Sequence, residues 1–205
     1  MKMKEILKNL KVIMLAVLIL AAGSCTDDFE EMNTDPNSPV DVPAINIFTN
    51  TLVSHVGYEM GGWIQHTYLG CWSQQWTKVQ YIDEDKYEIR DMTGDFEGRY
   101  TGPLMDLSII IEKATEEENT ELLAAAKIWR ALIFSFLADG WGDIPYSEAL
   151  QGLLGDDGII TPVYDTQESV YIALIAELED ANSLITDASQ NFGSGDVIFG
   201  GDPMA

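Results

Sequence analysis

Histidine, cysteine and positive charge are all scarce in this chain, and each shortage removes a class of chemistry. The two histidines, His55 and His66, lie 11 residues apart, which sets no zinc-binding pair on neighbouring turns of one helix. A lone histidine on a helical stretch is more often packed or solvated than a ligand. Two cysteines, Cys25 and Cys71, rule out a disulfide framework. Lys and Arg number 11 against 34 Asp and Glu, a net charge of −23, and such a field repels a polyanionic duplex. Nucleic acid is therefore excluded as a partner. Also missing are a Gly-x-Ser-x-Gly elbow, a phosphate-binding loop and a dinucleotide fingerprint. Gly155-Asp156-Asp157-Gly158 lacks the spaced acids of a calcium loop and reads as a turn. Among so many acids a pair at glycosidase spacing is always available, so their abundance carries no information. Nothing places a nucleophile beside a base, and the expectation is a binding protein without catalytic residues, metal or cofactor.

Long apolar runs are short as well. Val12 to Ala22 is an uninterrupted apolar stretch of 11 residues, behind a positive segment carrying Lys2, Lys4, Lys8 and Lys11. As a helix it would rise about 17 Å, well short of a hydrocarbon core about 30 Å thick. The segment reads as a processed leader rather than a span, with residues 1–24 removed. Leu20-Ala21-Ala22-Gly23-Ser24-Cys25 closes it with small residues directly before a cysteine, the arrangement of a bacterial lipoprotein signal. Cys25 is then the lipidation site, although Ala22 stands where such leaders more often carry Leu. The alternative is an ordinary secretory signal that leaves Cys25 a free thiol. Loss of the leader leaves seven basic residues against 33 acidic ones, a net charge of −26. Anionic headgroups would repel such a chain, so the lipid itself is the membrane anchor. Most of the acidity fits a solvated surface.

Residues 25–40 form an acidic, turn-rich tether, with Thr26-Asp27-Asp28-Phe29-Glu30-Glu31 followed by Asn33-Thr34-Asp35-Pro36-Asn37-Ser38-Pro39. Clustered Asp, Asn, Ser and Pro disfavour both helix and sheet. From Val42 the pattern is helical, with Ile45, Phe48, Leu52 and Val56 on one stripe. A second stripe is Leu104, Leu107, Ile111 and Ala114, where Gly102-Pro103 marks a helix start or a kink in a longer helix. A third begins near Asn119 and carries Leu122, Ala126, Trp129, Ile133 and Leu137. A fourth begins at Asp165, which caps while Glu168 reaches back, and carries Tyr171, Leu174, Leu178, Ala181 and Ile185. The short linker Thr115 to Glu118 makes the second and third helices antiparallel, and Ala124, Ala125, Ala126 and Ala131 permit close approach. Strand signals are confined to Tyr81-Ile82 and Tyr87-Glu88-Ile89. The expected fold is all-α, with irregular TPR-like antiparallel helix pairs, long loops and little strand.

Aromatic residues carry the clearest hint of binding. Trp63, Tyr68, Trp72, Trp76 and Tyr81 are interleaved with Gln65, His66, Gln74, Gln75, Lys78 and Gln80. Indole and phenol faces stack on the apolar faces of sugar rings, and amides bond to hydroxyls, so the composition suits a carbohydrate platform. Trp72, Trp76 and Tyr81 are the candidate ligand residues. Trp72 and Trp76, four apart, equally suit the buried face of a helix, and core packing is the commoner fate of any one of these side chains.

Three features together resemble the SusD/RagB family of outer-membrane nutrient-binding lipoproteins. They are the leader with its Cys-Thr-Asp-Asp-Phe-Glu-Glu start, Asn33-Thr34-Asp35-Pro36-Asn37, and Asp139-Gly140-Trp141-Gly142-Asp143-Ile144-Pro145-Tyr146-Ser147-Glu148-Ala149-Leu150. The last is the most specific, and Gly140, Gly142 and Pro145 suit it to stopping a helix. The resemblance implies that residues 41–205 are the N-terminal part of a longer helical domain, with Phe199-Gly200-Gly201-Asp202 preceding a further helix. It also implies a lipid-anchored, surface-exposed protein that caps a TonB-dependent SusC-like transporter and captures oligosaccharide or peptide unchanged. Two other readings stay open: a structural adaptor that docks the transporter without a small ligand, and a lipoprotein glycosidase.

Overall fold

The computed structural model describes residues 3, 14, 41–60, 68–89, 91–152, 158–186, 189 and 191–204. The chain divides into two compact units, Met1–Val42 and Pro43–Ala205, and every helix described below belongs to the second. Cys25, the tether, Trp63, His66 and Gly155-Asp156-Asp157 lie outside the described residues, as does the leader apart from Met3 and Met14. Among the described residues no helix is long and apolar enough to cross a membrane.

Among the described residues of the second unit six α-helices follow in order: α1 (Ala44–Met60), the single turn α2 (Gly70–Trp72), α3 (Thr93–Arg99), α4 (Met105–Glu116), α5 (Thr120–Trp141) and α6 (Gln167–Leu184). The fold is all-α, and β pairing among the described residues is a single bridge between Ile144 and Asp165. Helix α5 is central, packing on α4 and α6, while α4 also packs on α1. Cross-helix pairs set the direction of α6 against α5. Lys127 meets Asp180, Arg130 meets Glu177, and Asp139 meets Tyr171, so numbers rise on one helix as they fall on the other. The pair is antiparallel, as is the α4–α5 hairpin with its three-residue connection.

Sequence causes are visible at both ends of α5 and at the junction of α3 and α4. The Asn119 side chain accepts the Leu122 N–H at 3.1 Å, satisfying a first-turn donor of α5 that has no carbonyl partner. The same helix stops at Gly142, whose φ of +79° and ψ of −110° suit glycine alone, and whose N–H donates to the Ala138 carbonyl at 2.9 Å. Gly140, also expected at unusual angles, stays within the helix. Between α3 and α4 lies a π-helical segment, Tyr100–Leu104, that leaves helical geometry at Gly102, one residue before Pro103. Proline lacks an N–H and crowds the preceding turn, so Gly102-Pro103 is a kink in a longer helix rather than its start.

The core is built from Ala44, Phe48 and Leu52 of α1, Leu107, Ile110 and Ala114 of α4, and Leu122, Ala126, Ile133, Phe134 and Leu137 of α5. Ala124, Ala126 and Ala131 are buried where small side chains let helices approach. Five local expectations are corrected. On α1 the buried row ends at His55 while Val56 faces solvent, and on α4 Ile110 is buried more fully than Ile111. Asp165 does not cap α6. Thr166 does, its hydroxyl accepting the Ser169 N–H at 3.2 Å, and Leu178 of the expected stripe is exposed. Residues 81–89 form no strand. They wrap around a 3-10 turn, Glu84–Lys86, because Asp85 accepts the Lys78 N–H at 2.8 Å and the Thr77 hydroxyl at 2.9 Å, while Lys78 pairs with buried Glu84 at 2.6 Å. Polar side chains close this turn before any backbone ladder can form.

Candidate functional site

The segment from Asp139 to Ser147 runs from the last turn of α5 into the loop that follows it and lies against the residues that precede α6. Ile144 and Asp165 exchange backbone hydrogen bonds of 3.1 and 2.9 Å. Asp143 accepts the Gln167 N–H at 3.0 Å, supplying an acceptor to the first turn of α6, where negative charge is favoured. Asp165 accepts the Tyr146 and Ser147 N–H groups at 3.1 and 2.7 Å, and these donors hold its carboxyl below the usual aspartate range. The clamp holds the loop that leaves α5 directly after Trp141 against the start of α6.

Rings from four elements then meet in a chain of tilted and edge contacts. Tyr146 lies 4.8 Å from Phe134, Phe134 lies 6.1 Å from Tyr100, Tyr100 lies 5.1 Å from Phe96, and Phe96 lies 5.4 Å from Trp141. Such offsets are the preferred aromatic arrangement. The Tyr100 hydroxyl donates to the Pro145 carbonyl at 2.7 Å, and burial raises its pKa above the ordinary tyrosine value. Burial and the nearby Glu177 push Tyr146 up to about 12. Arg99, almost fully buried, donates to the Asp95 carbonyl at 2.8 Å and lies 5.7 Å from the centre of the Trp141 ring.

The outer end of this chain opens into a half-open cleft of about 1080 Å³. Trp72, Phe96, Trp141 and Tyr164 line it, together with Tyr68, which meets Trp72 edge-on at 5.1 Å. Four carboxylates share the lining: Asp91, Glu97, Asp139 and Asp143. Asp91 is held below the usual aspartate range by the hydroxyl and N–H of Thr93, which bond to it at 2.5 and 2.9 Å. Aromatic faces beside hydrogen-bond acceptors can stack a sugar ring and accept hydrogen bonds from its hydroxyls. Among the described residues no cluster of His, Cys, Asp and Glu could hold a metal ion.

His55 sits behind the cleft, buried edge-on against Trp129 at 5.5 Å and tilted against Phe136 at 6.1 Å. Neither ring nitrogen has a hydrogen-bond partner, and burial, aided by Arg99, lowers its pKa to about 4. It is a packed neutral histidine.

Of the three aromatic candidates, the structure brings Trp72 to the cleft. Trp76 and Tyr81 are not among the lining residues. Trp76 covers Gly70 so closely that a Cβ there would fall 1.8 Å from the indole nitrogen, and it remains half exposed. Tyr81 stands in solvent at φ +55°. Sequence reasoning missed Phe96, Trp141 and Tyr164, which are scattered through the chain. The available signal was Trp141, a large ring set between two glycines at a helix end.

Comparison with known proteins places the chain. The profile of a SusD-like family, described as starch-binding and associating with the outer membrane, matches residues 36–204. Solved structures of similar fold include a chitin-binding protein at 21% identity and TM-score 0.64, over 78% of this chain and 35% of that one. A SusD homologue from Bacteroides fragilis matches at 21% identity and TM-score 0.59, over 80% of this chain and 32% of its own. A SusD/RagB family protein from Bacteroides thetaiotaomicron matches at 19% identity and TM-score 0.61, over 80% and 35% respectively. No curated protein sequence matches. The chain spans about a third of the length of these solved relatives. With its family match running through nearly all of the helical unit and the same fold in three solved members or relatives, this chain belongs to the SusD-like family.

Proposed function

We propose that the chain is the binding element of a cell-surface lipoprotein, anchored to the outer membrane through Cys25, that captures oligosaccharide and passes it uncleaved to a TonB-dependent SusC-like transporter. The observation that carries this reading is the cleft: Trp72, Phe96, Trp141 and Tyr164 offer ring faces beside fixed hydrogen-bond acceptors. Sugar binding through stacked rings and hydroxyl contacts needs that combination. The family description and the chitin-binding relative support a glycan as cargo. Trp72 belongs to the site on this reading, while Trp76 and Tyr81 would contribute only through a ligand that extends beyond the cleft.

Titration calorimetry of the chain without its leader, against maltose and chitin oligomers, tests the reading. Trp141→Ala and Trp72→Ala should each weaken binding about tenfold, the equivalent of roughly 1.4 kcal/mol and within reach of one aromatic contact. Unchanged circular dichroism would show the variants folded. Silence toward every sugar, or affinity indifferent to both substitutions, would overturn the proposal.

A further inference from the structure

The carboxylates of the cleft share a pattern. Asp91 bonds to Thr93 through Oδ1, Asp139 takes the Tyr171 hydroxyl through Oδ1 at 2.6 Å, and Asp143 takes the Gln167 N–H through Oδ1. Each side chain is oriented by one oxygen, and its Oδ2 accepts no hydrogen bond from a described residue. Glu97 adds a fourth exposed acid to the lining. The cation among the described lining residues is Arg99, whose charge is turned inward to the Asp95 carbonyl and the Trp141 face. Among the described residues the cleft therefore presents net negative charge through pre-oriented oxygens, set beside aromatic faces that themselves favour cations.

From this geometry we infer that the cleft selects among glycans by charge: it takes oligosaccharides that carry protonated amines, such as hexosamine oligomers, and rejects those that carry carboxylates or sulfates. The inference rests on reading the cleft as a glycan site and adds the ligand class. An ammonium on a sugar stacked over Trp141 or Trp72 gains ion-paired hydrogen bonds to oxygens that are already ordered, so little side-chain entropy is lost. An acidic sugar in the same place meets several like charges in a half-open, partly desolvated space.

Calorimetry with three hexamers tests it at mildly acidic pH: deacetylated chitin oligomer, its N-acetylated counterpart, and oligogalacturonate. The expected order is amine first, neutral second, and no detectable binding of the acid. Raising salt should weaken the amine ligand and leave the neutral one unchanged, because an exposed ion pair is screened. The double variant Glu97→Gln, Asp139→Asn keeps an acceptor for Tyr171. It should lose about tenfold in affinity for the amine, roughly threefold per exposed pair, and less than twofold for the neutral hexamer. Equal affinity for amine and neutral hexamers, or an amine affinity untouched by the double variant, would overturn the inference while leaving the glycan reading intact. Binding of the acid hexamer would overturn it too. Silence toward all three hexamers, with tight binding of oligolysine, would overturn both and point to a basic peptide.

Discussion

Asp165 holds Ser147 by both its backbone N–H, at 2.7 Å, and its hydroxyl, at 2.9 Å, across 18 residues of chain. With the Tyr146 N–H as a third donor, this carboxylate ties the loop that follows α5 to the residues just before α6.

Asp165→Ala should therefore cost roughly 2 kcal/mol, the range for a carboxylate that accepts several hydrogen bonds. Urea unfolding at neutral pH measures it. The folded-state pKa is depressed, so this stabilisation is complete above the ordinary aspartate range and is lost as the pH falls through the folded value. The gap between wild type and variant should close in strong acid. A constant gap would mean that the charge is irrelevant.

His55 titrates in the opposite sense. Its pKa falls from 6.5 to about 4 on folding, so the unfolded chain takes up a proton first and stability declines as the pH drops from 6.5 towards 4. The full effect is on the order of 3 kcal/mol. His55→Phe should remove that slope at little cost near neutrality, because neither ring nitrogen has a partner to lose and the site is already aromatic. Unfolding free energies of the two proteins, compared across this window, decide it.

Arg130 and Glu177 join α5 to α6, with Nε to Oε1 at 2.7 Å, and Tyr146 donates to the other carboxylate oxygen at 3.2 Å. Glu177 is largely buried, so Arg130→Ala leaves its charge without compensation and should cost about 3 kcal/mol. Glu177→Gln in that background should recover part of the loss, since the amide needs no counter-charge. A double-mutant cycle by thermal unfolding measures the coupling, and strict additivity would refute it.

Several elements were legible before any coordinates. A helix beginning near Asn119, Gly102-Pro103 as a break, and the rows through Phe48, Leu107 and Ile133 follow from local steric and hydrogen-bonding rules that act within one helical turn. The misplaced details share another cause. Asp165 was a plausible cap by spacing, yet Ser147 competes for the same carboxylate from a distant part of the chain. Residues 81–89 alternate like a strand, yet Asp85 and Lys78 close them into turns. The cleft was the least legible part, because Trp72, Phe96, Trp141 and Tyr164 have no fixed spacing in sequence.

The amino-acid order by itself determined an all-helical chain, the break at Gly102-Pro103 and the stop at Gly142, and its strong negative charge, since periodicity, backbone sterics and ionisation are local properties. Which carboxylate clamps which loop, and which rings meet in one cleft, was decided only by the antiparallel packing of α4, α5 and α6. Contacts between residues tens of positions apart depend on where whole helices come to rest, and burial of their shared core sets that.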